Sequence, residues 1–100
     1  MGKSKNQIIE DIDNHLRCSG KRYYSEFYIG ISNDARRRLF QEHHVKEKGS
    51  WWIYRTANSS EIARDVERHY LALGMRGGDG GGDNSALMVY CYAVSPTTSE

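Results

Sequence analysis

A tyrosine, a glycine and an arginine lie at short spacing in the first half of the chain, and their chemistry suits the handling of a phosphate group. Tyr28 and Gly30 belong to an alternating apolar stretch that predicts a short strand, and Arg38 follows eight positions after Gly30. Between them, a Ser-Asn-Asp turn at 32–34 supplies helix caps, so Arg38 is expected on the helix that follows. Gly30 lets a backbone or a phosphate come close. Arg38 can donate two hydrogen bonds to a phosphate and stays charged at any working pH.

A carboxylate is also needed if such a site is to hydrolyse a phosphodiester. The reaction requires an activated water, neutralisation of charge in the transition state and help for the leaving oxygen, and a divalent cation can supply the last two. The ligands of such a cation are hard oxygens. Glu67 is the candidate, because it lies beside Ala63 and Leu71 at the edge of the apolar stripe of a predicted helix. The alternative reading is a surface glutamate on an amphipathic helix.

Basic residues that can hold a nucleic-acid backbone are concentrated between positions 36 and 48. The formal net charge of the whole chain is only +1, so any nucleic-acid contact must come from such a local patch. This segment contains two glutamates and five cations, so its formal charge is 5 − 2 = +3. The cations are Arg36, Arg37, Arg38, Lys46 and Lys48. Arg36 and Arg37 are expected to hold the backbone without reacting. A neutral His43 or His44 can shuttle a proton.

The segment Tyr28-Ile29-Gly30 resembles the second half of the GIY-YIG nuclease motif, and Arg38 falls where that family keeps its catalytic arginine. The resemblance extends from about Tyr24 to Leu73. It implies a metal-dependent endonuclease in which Tyr28, Gly30 and Arg38 belong to the catalytic site and Glu67 binds Mg²⁺ or Mn²⁺. Many family members keep a histidine after the arginine, and His43 lies near that place, one residue further from Arg38 than expected.

The first half of the family motif, a Gly-Ile-Tyr strand about ten residues before the YIG triplet, is missing from this chain. The C-terminal strand offers a replacement, since a strand can occupy the same place in a sheet whatever its order in the chain. Our hypothesis is a permuted sheet, in which Tyr90 or Tyr92 takes the place of the missing tyrosine. The alternative is that both tyrosines only pack on the sheet.

The periodicity of the chain predicts an α/β (α+β) domain in the order α-β-α-β-α-β, with a small, mainly antiparallel three-stranded sheet flanked by helices. The predicted helices cover Gln7–Arg17, Ala35–His44 and a segment from Asn58 or Ser59 to Gly74. The predicted strands cover Tyr23–Ser32, Trp51–Thr56 and Ala86–Val94. Residues 77–85 predict a glycine-rich loop, in which Asp79, Asp83 and Asn84 lack EF-hand spacing. Residues 1–6 and 95–100 are expected to fray.

Composition limits the class of protein further. The 100 residues suit one domain, and no apolar run is long enough to cross a bilayer. Cys18 and Cys91 are far apart and lack metal-ligand spacing, which favours reduced thiols in a cytoplasmic protein. The expected partner is DNA, structured or double-stranded, with a homodimer as a further possibility. Two alternatives to the nuclease stay open: a catalytically degenerate nucleic-acid-binding module of the same fold, and a protein-interaction domain.

Overall fold

Residues 2–77 and 85–99 are described by a computed structural model, in which three helices flank a three-stranded sheet. The elements are α1 (Lys5–Arg17), β1 (Phe27–Ser32), α2 (Ala35–Arg37), β2 (Trp52–Thr56), α3 (Ser60–Ala72) and β3 (Met88–Ala93). A short 3₁₀ turn (Tyr24–Glu26) precedes β1, and a π-helical turn (Arg38–Glu42) continues α2. The predicted α+β class, with a three-stranded antiparallel sheet between helices, is therefore confirmed.

The sheet has the order β1-β3-β2, and both pairings are antiparallel. The last strand of the chain thus lies in the centre, between two strands that precede it in sequence. On the outer side of β1, Arg76 forms a parallel bridge with Tyr28, through hydrogen bonds from Ile29 N to Arg76 O and from Arg76 N to Phe27 O. This contact leads the chain from α3 past the edge of β1.

The strands divide the core into two layers, because successive residues of a strand point to opposite faces. On one face, Ile29 and Cys91 pack with side chains of α1 and α3 such as Ile12 and Val66. On the other face lies a second cluster, which we call the tyrosine face and which consists of Tyr28, Tyr90 and Tyr92 with Ala35, Leu39 and Val45. Helices α1 and α3 therefore cover one side of the sheet, and α2 with its π-helical turn covers the other.

Local capping chemistry explains where the helices begin. The Asp34 side chain accepts a hydrogen bond from Arg37 N, and Ser32 Oγ accepts one from Asp34 N, as the Ser-Asn-Asp turn predicts. Ser59 rather than Asn58 caps α3, by accepting from Ile62 N at 3.2 Å. The prediction of a regular helix over Ala35–His44 was wrong in one respect, since the α-helical part ends at Arg37 and a π-helical turn follows.

Residues near both ends of the described chain make backbone hydrogen bonds to the body of the domain, and the expectation of frayed ends stays a prediction. Lys3 pairs with the segment after β2, through bonds from Lys3 N to Thr56 O and from Asn58 N to Lys3 O. Ser99 N donates to His43 O at 2.7 Å. The predicted glycine-rich loop lies mostly outside the described residues, as do Asp79, Asp83 and Asn84 within it. Cys18 is exposed and Cys91 is buried in the core, and both are free thiols.

Candidate functional site

Strands β1 and β3 bring three tyrosines together on the tyrosine face. In their register Tyr28 lies opposite Tyr92, and Gly30 lies opposite Tyr90. The ring of Tyr28 stacks against the rings of both partners, with centroid distances of 5.2 Å to Tyr92 and 6.3 Å to Tyr90. The prediction that the C-terminal strand pairs antiparallel with the strand of Tyr28 is confirmed, and both of its tyrosines face the side that carries Tyr28.

Gly30 makes room for the ring of Tyr90. A Cβ atom at position 30 would lie 2.5 Å from both Cζ and the hydroxyl oxygen of Tyr90, which is inside van der Waals contact. The space beside Gly30, expected to admit a backbone or a phosphate, is filled by an aromatic side chain from the neighbouring strand. The absence of a side chain at Gly30 therefore makes room for Tyr90.

The π-helical turn accounts for the unexpected spacing between Arg38 and His43. The amide of His43 donates to the carbonyl of Arg38 at 2.8 Å, which is an i→i+5 bond in place of the usual i→i+4 bond. The turn thereby takes up one residue more than an α-helical turn, and it brings His43 back towards the side of the helix that carries Arg38. As a result the His43 ring lies 4.7 Å from that of Tyr28 and 5.0 Å from that of Tyr92.

His43 makes hydrogen bonds through both ring nitrogens. Its Nε2 lies 2.8 Å from the Tyr90 hydroxyl, and its Nδ1 lies 2.7 Å from the backbone carbonyl of Ser99 and 3.1 Å from the Tyr92 hydroxyl. Because a carbonyl oxygen can only accept, we assign the ring proton to Nδ1. In the neutral imidazole Nε2 is then an acceptor, and the Tyr90 hydroxyl donates to it.

Arg38 lies at the edge of the same cluster. Burial raises the pKa of Tyr90, and the positive charge of the nearby Arg38 opposes that rise, while Tyr28 and the charge of Glu42 add to it. The Nε atom of Arg38 is buried, lies 3.3 Å from a carboxylate oxygen of Glu42, and makes no hydrogen bond within residues 2–77 and 85–99. The guanidinium is thus held beside the Tyr90 hydroxyl by an ion pair of imperfect geometry.

The cluster is closed to solvent by the C-terminal segment. The exposed fraction is 0 % for Tyr92, 1 % for Tyr90, 4 % for His43 and 5 % for Tyr28. Ser99 lies over this group, since its amide donates to the His43 carbonyl and its own carbonyl accepts from His43 Nδ1 and from the Tyr92 hydroxyl. A ligand at these hydroxyls therefore requires that Ser99 move.

Glu67 does not join this group. It lies on α3, whose buried residues Ala63, Val66 and Tyr70 belong to the core cluster on the opposite face of the sheet. The expectation that Glu67 lies at one site with Tyr28 and Arg38 was wrong. Helix α3 packs on one face of the sheet and Tyr28 lies on the other, so the thickness of the sheet separates them. Its place at the edge of the apolar stripe is as expected: Glu67 is half-buried, and burial raises its pKa against the opposing charges of Arg64 and Arg68.

These placements do not fit the expected metal site. Among the residues that the structure describes, no group of three or more His, Cys, Asp or Glu side chains lies close enough together to hold a metal ion. The carboxylate beside the tyrosine face is Glu42, and it is shared between Arg38 and Arg37, whose Nε lies 3.7 Å away. The i,i+4 spacing of Glu42 from Arg38 is a usable sequence signal for this ion pair. No pattern in the sequence indicates that Ser99 contacts His43 and Tyr92, because its backbone carbonyl makes these contacts.

The basic patch of residues 36–48 is partly neutralised by its own acidic residues. Arg36 pairs with Glu47 at 3.1 Å and also lies over the Phe40 ring, 5.1 Å from its centroid. Arg37 and Arg38 share Glu42. Lys46 and Lys48 are exposed and carry no ion pair within the described part of the chain.

Comparison of the chain with models of protein families, with curated proteins and with solved structures finds no match. Within the described residues, none of the helices combines the length and the apolar character needed to cross a membrane.

Proposed function

We propose that this protein is an endonuclease of GIY-YIG type that hydrolyses phosphodiester bonds in DNA, with its sheet permuted so that the last strand carries the tyrosines of the missing first strand. The observation that carries the proposal is the arrangement around the Tyr90 hydroxyl. Two neighbouring antiparallel strands present stacked tyrosines, and a histidine and an arginine from one helical segment lie beside that hydroxyl. These residue types provide a proton acceptor and a fixed positive charge at one point.

The hydrogen bonds around His43 define a path for the proton of the attacking water. Tyr90 accepts this proton on its hydroxyl oxygen while its own proton passes to Nε2 of His43, so that the water oxygen can form its bond to phosphorus. The Ser99 carbonyl, or a group that replaces it, keeps the other ring proton on Nδ1 and so leaves Nε2 as the acceptor. The leaving oxygen takes a proton from solvent when its bond to phosphorus breaks.

Arg38 supplies the charge that this reaction needs. A guanidinium can bond two phosphate oxygens at once, and its effect is greatest where negative charge develops in the transition state. In the structure Glu42 occupies one side of Arg38 at 3.3 Å. A substrate phosphate competes with that carboxylate, and at the same time it must displace Ser99 from the tyrosine face.

A requirement for Mg²⁺ or Mn²⁺ is part of the proposal, since the resemblance to GIY-YIG nucleases implies it. The described residues supply no ligand set on the tyrosine face, and Glu67 lies across the sheet. The roles of Tyr90, His43 and Arg38 do not depend on a bound metal ion, so the requirement for the ion can be tested separately.

Nicking of supercoiled plasmid tests the proposal. The protein is incubated with plasmid in Mg²⁺ or in Mn²⁺, with EDTA as the control, beside the variants Arg38→Ala, His43→Ala and Tyr90→Phe. Nicking by the wild type that falls at least about 100-fold in each variant supports the proposal, because a positioned acid–base group contributes 10²–10⁴-fold. Glu67→Gln is the matched carboxylate control and should nick like the wild type, since Glu67 lies on the other face. Equal nicking by all variants would indicate a contaminating nuclease.

One observation favours a second candidate, a catalytically inactive nucleic-acid-binding module. The side chains of Tyr28, Tyr90, Tyr92 and His43 are all buried and engaged in hydrogen bonds or ring contacts, as in a core that only stabilises the fold. A gel shift at two salt concentrations separates the two functions. Salt-sensitive binding without nicking by the wild type supports the binding module, because phosphate contacts release counterions. The absence of binding at low salt, by a folded protein, leaves the protein-interaction domain.

A further inference from the structure

A second candidate site is a cleft between the end of α1 and the 3₁₀ turn that precedes β1. Its volume is about 330 Å³. Basic and aromatic side chains dominate its lining, which includes Arg17, Lys21, Arg22, Tyr23, Tyr24 and Phe27.

The cations of this cleft differ from Arg36, Arg37 and Arg38, each of which is paired with a glutamate. None of the six ion pairs among the described residues includes Arg17, Lys21 or Arg22. The guanidinium of Arg17 donates to the Asn14 amide oxygen, which leaves its charge uncompensated.

Two carboxylates lie near this cleft and offset part of its charge. Asp13 belongs to the lining and accepts a hydrogen bond from the Tyr70 hydroxyl at 2.7 Å. Glu26 accepts from the backbone amides of Tyr23 and Arg22, and these bonds together with the charge of Lys21 lower its pKa. Against Arg17, Lys21 and Arg22 the two carboxylates leave a formal surplus of 3 − 2 = +1, which suits an anionic ligand.

Aromatic rings lie among these cations. Tyr23 is 66 % exposed and Tyr24 is 37 % exposed, while Phe27, which also lines the cleft, is buried. A positively charged groove with exposed aromatic rings is the arrangement that binds a nucleic-acid strand, in which the cations hold the phosphates and the rings stack on the bases.

The cleft and the tyrosine face meet at the same end of the sheet. Phe27 and Tyr28 are consecutive in β1 and therefore point to opposite faces, the first into the cleft and the second into the tyrosine face. The end of β3 lies beside them, because Val94 N donates to Glu26 O. A strand that occupies both places must turn around the end of the sheet. Duplex DNA has a persistence length of about 50 nm and resists such a turn, whereas a single strand follows it readily.

We propose that this cleft binds a single-stranded segment of nucleic acid, which flanks the phosphodiester held at the tyrosine face. The position of this segment beside a phosphodiester at the tyrosine face rests on the proposed function, whereas binding in the cleft needs no cleavage. It assigns nucleic-acid contacts to Arg17, Lys21, Arg22 and Tyr23, in place of the internally paired arginines of α2.

Fluorescence anisotropy with a labelled 15-nucleotide oligo(dT), in EDTA, tests the inference. Tyr23→Ala should weaken binding about tenfold, because stacking of one base contributes about 1–3 kcal/mol. Arg22→Ala should weaken binding and reduce the slope of log Kd against log [salt] by about 0.7, the value for one phosphate contact to a single strand. Lys5→Ala removes an exposed cation at the other end of α1 from Arg17, so it is the matched control and should change neither quantity. Circular dichroism confirms that each variant is folded.

Other probes identify alternative ligands. A duplex of the same length that binds as tightly as the single strand would overturn the inference, and so would unchanged affinity in both cleft variants. Poly-glutamate that competes equally well in the wild type and in Tyr23→Ala would indicate an acidic protein partner and also overturn it. Oligo(U) that binds more tightly than oligo(dT) would support the cleft and identify RNA as the strand. If the wild type nicks plasmid and the cleft variants bind normally, the proposed cleft site is contradicted and the proposed nuclease is not. If the cleft variants lose binding and the wild type does not nick, the proposed nuclease is contradicted and the cleft site is not.

Discussion

The Nε2 atom of His43 lies 2.8 Å from the hydroxyl oxygen of Tyr90, although 47 residues separate them in the chain. The contact joins a π-helical turn to the central strand across the tyrosine face, and Ser99 fixes the tautomer from the other side of the ring. It is a buried polar contact, so its loss should affect stability as well as any chemistry at this point.

Tyr90→Phe should lower the free energy of unfolding by about 1–3 kcal/mol, because it leaves Nε2 of the buried His43 without its donor. The double variant Tyr90→Phe/His43→Leu should lose less than the sum of the two single changes, since both polar groups are then removed. Urea unfolding of the four proteins measures this coupling. In the wild type, ¹⁵N NMR of the imidazole should show the proton on Nδ1; a proton on Nε2 would contradict the assigned direction of the bonds.

Gly30→Ala should destabilise the protein by about 1–3 kcal/mol, the usual cost of overpacking a core. The new Cβ would lie 2.5 Å from the end of the Tyr90 side chain, which is buried and cannot turn away into solvent. For a domain of this size, each 1 kcal/mol corresponds to a fall in Tm of about 4–8 °C. The same change made in a Tyr90→Ala background should cost much less, and an equal cost in both backgrounds would show that Tyr90 is not the obstacle.

Removal of the residues after Val94 should expose the tyrosine face, because Ser99 is bonded to both His43 and Tyr92. The measurement is nitration by tetranitromethane followed by peptide mapping. Tyr23, which is already exposed, should react in both proteins, whereas Tyr92 should react only in the shortened one. Ser99→Ala is the matched control, since it keeps the backbone groups that make these bonds and should leave Tyr92 unreactive. Equal protection of Tyr92 in the shortened protein would contradict the covering role of the segment.

Glu67→Gln should stabilise the protein slightly at neutral pH. Burial raises the pKa of Glu67 in the folded state, so the folded protein holds its proton more tightly than the unfolded chain does. The free energy of unfolding therefore falls as the pH rises from the pKa of the unfolded chain, about 4.3, to the higher pKa of the folded protein. Above the pKa of the folded protein the destabilisation is complete. The gain from the glutamine should thus vanish below about pH 4. Thermal unfolding of both proteins at pH 3.5 and at pH 7 measures this difference in stability. A Glu67→Gln variant that is more stable at both pH values would contradict the explanation by burial of the charge.

Local patterns in the sequence determined the elements and much of the tyrosine face. Alternation identified the strands of Tyr28 and of Tyr90, and the turn at 32–34 identified the start of the helix that carries Arg38. These features depend on periods of two and 3.6 residues and on caps, which act over a few neighbouring positions. The pairing of the first and last strands was instead a hypothesis drawn from the resemblance to the GIY-YIG motif, and the structure has that pairing.

Only the tertiary structure decided which of these residues meet. A helical wheel places Glu67 at the edge of an apolar stripe, but it contains no information on which face of the sheet that stripe will cover, and α3 packs on the face away from Tyr28. His43 reaches Tyr90 through a π-helical turn, and Ser99 closes the tyrosine face through backbone atoms that every residue possesses. Contacts of this kind depend on long-range packing and on main-chain hydrogen bonds, neither of which leaves a pattern in the order of side chains.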